Sequence, residues 1–278
     1  MKACASPISL FMAGTVSPLP TLRAMQLDKK IIKERFGKSL STYDQQSVVQ
    51  DRVAKRLLDL LAKGGCPAPR RVLEIGCCTG LLTRRIIERY PDIVELWCND
   101  LVKEAEKPLR EKMSSFTGKM EFIAGDVEKA TLPSALDLVI SSSTFHWIVD
   151  LKTFFTKMNR CVRPGGHLAF AMYGPDNLYE IKEISGVGLA YPDPITLFRL
   201  SSGHFQVISY LTHRECLHFT DVRDLLNHLR QTGVNALDKT VWSPGKLNSF
   251  INEYRSRFKD EQGVRVTYHP IYFLLRRP

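Results

Sequence analysis

The stretch Val72-Leu73-Glu74-Ile75-Gly76-Cys77-Cys78-Thr79-Gly80 reads as an apolar strand, a turn with glycines at two positions, and the start of a helix. Glycine in such a turn lets the backbone bend tightly and approach a ligand lying across the strand's carboxyl end, where open α/β sheets bind ligands. A dinucleotide site would place G-x-G-x-x-G over the helix N-terminus to hold a pyrophosphate. That pattern is absent, so NAD is disfavoured. Two more carboxylates stand at the ends of the next apolar runs: Asp100 after Trp97-Cys98-Asn99, and Asp126 after Ala124-Gly125. A carboxylate at a strand end is ordinarily a solvated turn residue, but three at consecutive strand ends argue for one shared site.

Glu74, one residue inside its strand end and two before Gly76, resembles the S-adenosylmethionine signature E/D-x-G-x-G-x-G. The resemblance implies that Asp100 accepts hydrogen bonds from both ribose hydroxyls, and that Asp126 accepts from the adenine amino group while Val127 packs on the ring. The cofactor-binding set it implies is Tyr43, Glu74, Gly76, Cys77, Cys78, Gly80, Asp100, Leu101, Asp126, Val127 and Ser142. One departure stands out, since Cys78 occupies the position of the middle glycine. Its Cβ and thiol would crowd the ribose or methionine moiety unless the loop shifts, and glycine is geometrically required there only if φ is positive.

Beyond this half, the chain from about Lys30 onward is similar to the malonyl-acyl-carrier-protein O-methyltransferases of biotin synthesis. Arg35-Phe36-Gly37 with Ser41-Thr42-Tyr43-Asp44 and Gln50 resembles their opening R-F-x-x-A-x-x-Y-D…Q segment. Ser142-Ser143-Thr144-Phe145-His146-Trp147 resembles S-N-x-x-x-Q-W, with His146 replacing the usual glutamine and Ser143 the usual asparagine. Leu168-Ala169-Phe170 through Gly174 to Leu178-Tyr179-Glu180-Ile181 resembles the L-x-F-S-T-x-G-x-x-x-L-x-E-L block. Arg230-Gln231-Thr232-Gly233-Val234-Asn235-Ala236 and Thr267-Tyr268-His269 resemble the R-x-x-G-A and T-Y-H signatures.

The resemblance implies transfer of the S-adenosylmethionine methyl group to the free carboxylate of a malonyl thioester on an acidic acyl carrier protein. A carboxylate is ionised near neutral pH, so no general base is needed, and alignment with exclusion of water should do most of the work. Tyr43, His146 and Trp147 are the expected catalytic residues, with Phe145, Lys182, Arg199, Arg223, Tyr268 and His269 for the substrate. Blander readings stay open: Tyr43 as packing between helices, Trp147 as a core aromatic, His146 as a structural histidine, Tyr268-His269 as a packed strand end, and most cations as solvated surface.

Such a site needs a sheet to carry it. From Arg70 onward, β-branched or apolar runs alternate with amphipathic stretches, which argues for a Rossmann-like α/β fold with a seven-stranded, mostly parallel sheet and helices on both faces. Strands are expected at 71–75, 94–98, 120–123, 136–141 and 167–172, one within 206–219, and a last at 264–275. Helices are expected at 81–90, 102–115 and 151–161, the last stopped at Arg163-Pro164-Gly165-Gly166. Two helices at 28–36 and 44–63 should cap the cofactor edge. Residues 70–173 form the expected cofactor core, 174–203 a lid insertion, and 204–278 the last strands with a helical insertion at 220–262, carrying helices at 221–230 and 244–258. All of 25–278 is expected to be one domain, after a disordered leader over 1–24.

Composition agrees with a globular enzyme, since 44% of the 278 residues are hydrophobic. Seven cysteines show no CxxC pair and no zinc spacing, so free thiols in a cytoplasmic, metal-free protein are expected. The net charge of +10 favours an acidic partner. It comes without a basic run or aromatic-interleaved repeat, which argues against nucleic acid, and the only early apolar stretch, 8–16, is too short to span a bilayer. The expectation is a monomer. Rival readings are a methyltransferase of another small carboxylic acid, and a binding protein of the same fold that has lost the cofactor.

Overall fold

The computed structural model describes residues 23–24, 27–232 and 243–278. The expected leader, apart from 23–24, and the Gly233 to Ala236 end of the R-x-x-G-A resemblance lie outside the described residues.

The chain opens with α1 (Lys29–Ser39), α2 (Tyr43–Gln46) and α3 (Val48–Lys63). Asp28 starts α1 by accepting a hydrogen bond from the Lys30 amide, and Val49, Val53, Leu57, Leu60 and Leu61 give α3 one buried stripe. The alternating core follows as β1 (Arg71–Ile75), α4 (Leu81–Arg89), β2 (Glu95–Asp100), α5 (Glu106–Lys112), β3 (Lys119–Ala124), β4 (Leu136–Ser142), α6 (Leu151–Cys161) and β5 (Val162–Tyr173). Next come α7 (Tyr179–Ser185), α8 (Pro194–Ser202), β6 (Gln206–Thr212), β7 (Glu215–Phe219), α9 (Val222–Gln231), α10 (Pro244–Phe258), β8 (Gly263–Tyr268) and β9 (Pro270–Arg276).

The seven-stranded sheet has the order β3-β2-β1-β4-β5-β9-β6, parallel except for β9, which is antiparallel to both neighbours. On one face α3 and α4 bury Val53, Leu57, Leu61 and Ile86 against Val72, Leu138 and Ala171. On the other, α6 and α8 close over Phe155, Phe170 and Phe273. The fold class is the one expected.

Several boundaries differ. The run at 206–219 and the run at 264–275 each form two strands instead of one. The inner halves, β6 and β9, stay in the main sheet, while β7 and β8 pair with each other in a second, antiparallel sheet. The breaks face one another: Thr212 Oγ1 lies 2.9 Å from His269 Nε2, and the next residue, Pro270, has no N–H for a continuous ladder. The helix at 44–63 breaks at Ser47, whose backbone leaves the helical region. The helix at 102–115 shortens to a 3₁₀ turn, Lys103–Ala105, and α5, because Pro108 has no amide to give to the carbonyl of Glu104. Residues 163–166 belong to β5, with α6 ending at Cys161.

Candidate active site

The turn after β1 is the floor of a cleft at the carboxyl edge of the sheet. Gly76 has φ +75° and its amide donates to Asn99 O at 2.8 Å; a Cβ there would lie 2.0 Å from Thr144 Oγ1, so only glycine fits. Cys78 also has positive φ, +46°, so a side chain sits where glycine was geometrically wanted, at about 1 kcal/mol of backbone strain. Asp100 ties the turn down, its carboxylate accepting from the amides of Cys78 and Val102 at 2.8 Å each. Burial pushes its carboxyl up, and these backbone donors pull it back. Each oxygen keeps a lone pair for a further donor.

The cleft and its open mouth together hold about 710 Å³ of space. Tyr43, Gly76, Cys78, Asp100, Leu101, Asp126, Val127, Ser142 and Trp147 all line it, so nine expected site residues from five regions of the sequence meet. Its roof is α1 and α2, through Ile32, Phe36, Leu40 and Tyr43. Lys29 holds the roof on one side, its Nζ 3.2 Å from Asp126 Oδ1 and 2.9 Å from Glu128 Oε2. Asp44 holds it on the other, accepting from Thr79 Oγ1 and pairing with Lys112.

Three buried polar atoms around the cleft have no protein partner: Ser142 Oγ, His146 Nδ1 and Trp147 Nε1. Such atoms are destabilising unless a ligand or water satisfies them. Burial holds the His146 imidazole down to about 3, so it is neutral at physiological pH and hydrogen-bonds without charge. Its ring lies 4.8 Å from Trp147, 5.2 Å from Tyr173 and 5.9 Å from Tyr191. Ser143, at φ +58°, sets Oγ 3.4 Å from Tyr173 Oη.

Other expected residues fall elsewhere. Glu74 is buried behind the turn, accepting from Thr83 Oγ1 at 2.6 Å, and burial pushes its carboxyl up to about 8. Cys77 is buried beneath the loop, and Gly80 begins α4 with φ +87°; neither lines the cleft. Phe145, expected at the substrate, is wholly buried in the core, stacked on Phe170 at 4.7 Å, because the 3₁₀ turn at Phe145–Trp147 points alternate residues inward. Tyr268 is likewise buried, its hydroxyl 3.0 Å from His228 Nε2. Arg199 on α8 and Arg223 on α9 are exposed and away from the cleft, the cost of desolvating a guanidinium keeping them at the surface. His269 bridges strand ends, its Nδ1 accepting from the Asp176 amide at 3.2 Å. Lys182 lies 4.4 Å from the Tyr191 ring centre and donates to Pro175 O, and burial holds its ammonium down to about 8.

Sequence reasoning missed Asn99, Lys29, Tyr173 and Tyr191. Asn99 is the hub between turns: its carbonyl accepts from Gly76 and Cys77, and its side chain donates to Ile123 O and Gly125 O. A polar residue inside an apolar strand was the available signal for it. Lys29 meets Asp126 across 97 residues, and nothing local marks that pairing.

Carboxylate acceptors at two strand ends, apolar walls and unpaired donors suit a nucleoside with a charged amino-acid tail. The fold and cleft define an S-adenosylmethionine-dependent methyltransferase of the Rossmann-like class, and residues 73–170 match the Methyltransferase domain family. The chain is 36% identical over 253 residues to the malonyl-[acyl-carrier protein] O-methyltransferase of Chlorobium phaeovibrioides, covering 90% of this chain and 97% of that one. It is 34% identical to that of Calditerrivibrio nitroreducens, covering 88% and 96%. The chain belongs to the malonyl-[acyl-carrier protein] O-methyltransferase family. A phosphoethanolamine N-methyltransferase of Haemonchus contortus, solved with S-adenosylhomocysteine, is similar in fold alone, with TM-score 0.50 and 17% identity over 81% of this chain and 52% of that one. No helix among the described residues is long and apolar enough to cross a membrane.

Proposed function

We propose that this protein, a cytoplasmic monomer, methylates the free carboxylate of malonyl-acyl carrier protein, giving the methyl ester from which the pimeloyl chain of biotin is built. The similarity along nearly the whole length to relatives of that name carries the reading. The ester masks a charge that chain elongation would otherwise have to carry.

S-adenosylmethionine supplies a sulfonium-activated methyl group. Asp100 would hold the ribose with the oxygen lone pairs that the backbone leaves free, and Val127 and Leu101, which line the cleft, would pack on the adenine. The backbone of Gly76 and Cys78 would carry the amino-acid tail, and the unpaired Ser142 Oγ would donate to it. Asp126 is already paired with Lys29, so it takes the adenine amino group as a shared acceptor. Tyr43 lines the cleft from the roof, where its ring would shut out water and favour a cationic sulfur. Neutral His146 and the Trp147 indole give the malonyl carboxylate hydrogen bonds without trapping it in an ion pair, which leaves its oxygen nucleophilic. No proton has to move, so His146 acts by position.

The test is incubation of the protein with malonyl-acyl carrier protein and S-adenosylmethionine, followed by mass spectrometry of the carrier. A gain of one methyl group is expected; an unchanged carrier mass refutes the reading.

A further inference from the structure

We infer that the acidic carrier docks on the exposed stripe of α3 formed by Arg52, Lys55 and Arg56 together with Arg214 in the turn after β6, and not on the basic faces of α9 and α10. The inference rests on the proposed carrier-bound substrate and says where that carrier sits.

Position is the first argument. Ligands of open α/β sheets enter at the carboxyl ends of the strands. The same edge carries the ends of β4 and β5, at Ser142 and Tyr173, the end of β6, and the turn His213-Arg214. Since α3 follows α2 with only Ser47 between them, its exposed first turn lies beside the Tyr43 roof. At that end Val48 is 47% exposed and shares a surface groove with Asp44, Arg52 and Lys112.

Charge and order are the second. The α3 face opposite its buried stripe shows Arg52, Lys55 and Arg56 in two successive turns. Arg56 Nη1 lies 2.9 Å from His213 Nε2, Arg52 pairs with Glu215, and Arg214 Nη2 lies 2.7 Å from Asp176 Oδ2. The surrounding contacts thus join helix and turn into one surface and hold the guanidinium groups in place. Glu215, Asp176 and the exposed Asp59 on the same helix face stand against four cations, which leaves the surface positive, and among the described residues Lys55 forms no ion pair. Pre-ordered arginines beside an exposed valine match a carrier that offers acidic side chains around a pantetheine arm.

Two substrates test this: malonyl-acyl carrier protein and malonyl-pantetheine, which has the reacting group but no protein. For the triple variant Arg52→Glu, Arg56→Glu, Arg214→Glu, the KM for the carrier substrate should rise at least about tenfold, with kinetics on malonyl-pantetheine unchanged. Lys55→Glu, which breaks no pair, should raise the carrier KM about threefold. Arg276→Glu, at the opposite edge of the sheet, should change neither. An unchanged carrier KM in both the triple variant and Lys55→Glu, or equal losses on the two substrates, overturns the docking surface. Wild-type protein that leaves the carrier unmethylated refutes the proposed function itself, so the two failures are distinct.

Discussion

Cys78 is a residue-scale conflict. Its φ of +46° places a Cβ in the left-handed region, and its half-buried side chain lines the cleft beside the turn that Asp100 holds. Replacing it by glycine should relieve about 1 kcal/mol of strain and raise the melting temperature by about 2–4 °C in a chain of this size. Cys78→Val, with a branched Cβ that tolerates this region least, should lower it and weaken S-adenosylhomocysteine binding in a calorimetric titration. Equal melting temperatures for the three proteins would show that the loop relaxes around any side chain. Two buried titratable groups act in opposite directions over overlapping pH windows. His146 is held down to about 3, so its share of stability is complete above its ordinary value of 6.5 and is lost as the pH falls below it. Glu74 is pushed up to about 8, so its share is complete below its ordinary value of 4.5 and is lost as the pH rises toward 8. In melting curves against pH, His146→Gln should flatten the limb that rises from about 3 to 6.5, and Glu74→Gln the limb that falls from 4.5 to about 8. A limb left unchanged by its variant would assign that limb to other groups.

At the scale of elements, the roof helices and α7 are held in different ways. The roof helices α1 and α2 rest on Lys29 with Asp126 and Glu128, and on Asp44 with Thr79 and Lys112. These pairs are partly exposed and individually weak, which suits a cover that must open for the cofactor to exchange. Lys29→Ala should therefore speed S-adenosylhomocysteine release several-fold in stopped-flow measurements while shifting the melting temperature little; unchanged release would place the opening elsewhere. Helix α7, in the segment expected to form a lid, is fastened by a buried carboxylate. Glu180, 1% exposed, accepts from the Thr267 amide at 2.9 Å and from Thr267 Oγ1 at 2.7 Å. Glu180→Ala leaves those donors buried and unpaired, and a loss of about 3 kcal/mol in chemical denaturation is expected. A loss no larger than that of an exposed Glu→Ala change would show that α7 is not anchored there.

For the whole molecule, the charge of +10 acts at long range. Encounter with an acidic carrier should weaken as salt rises from about 0.05 to about 0.5 M, where the screening length shrinks to a few ångströms. The expected outcome is a fall in kcat/KM on the carrier substrate of at least about tenfold, with no fall on malonyl-pantetheine. Equal salt dependence of the two would place the effect in the cleft. The alternation of strands and helices, the strand-end turn and the cleft carboxylates Asp100 and Asp126 were legible in the chain alone, while Glu74, expected with them, lies behind the turn. Period and turn chemistry are local properties, written in consecutive residues. The sequence by itself determined the fold class, the cofactor edge and the departure at Cys78. Only the tertiary structure decided that the runs at 206–219 and 264–275 each serve two sheets, that Phe145 and Tyr268 are core, that Asn99 and Lys29 tie the site together, and that φ at Cys78 is positive. Those facts depend on which distant surfaces compete for the same side chain, and no local pattern of residues records that competition.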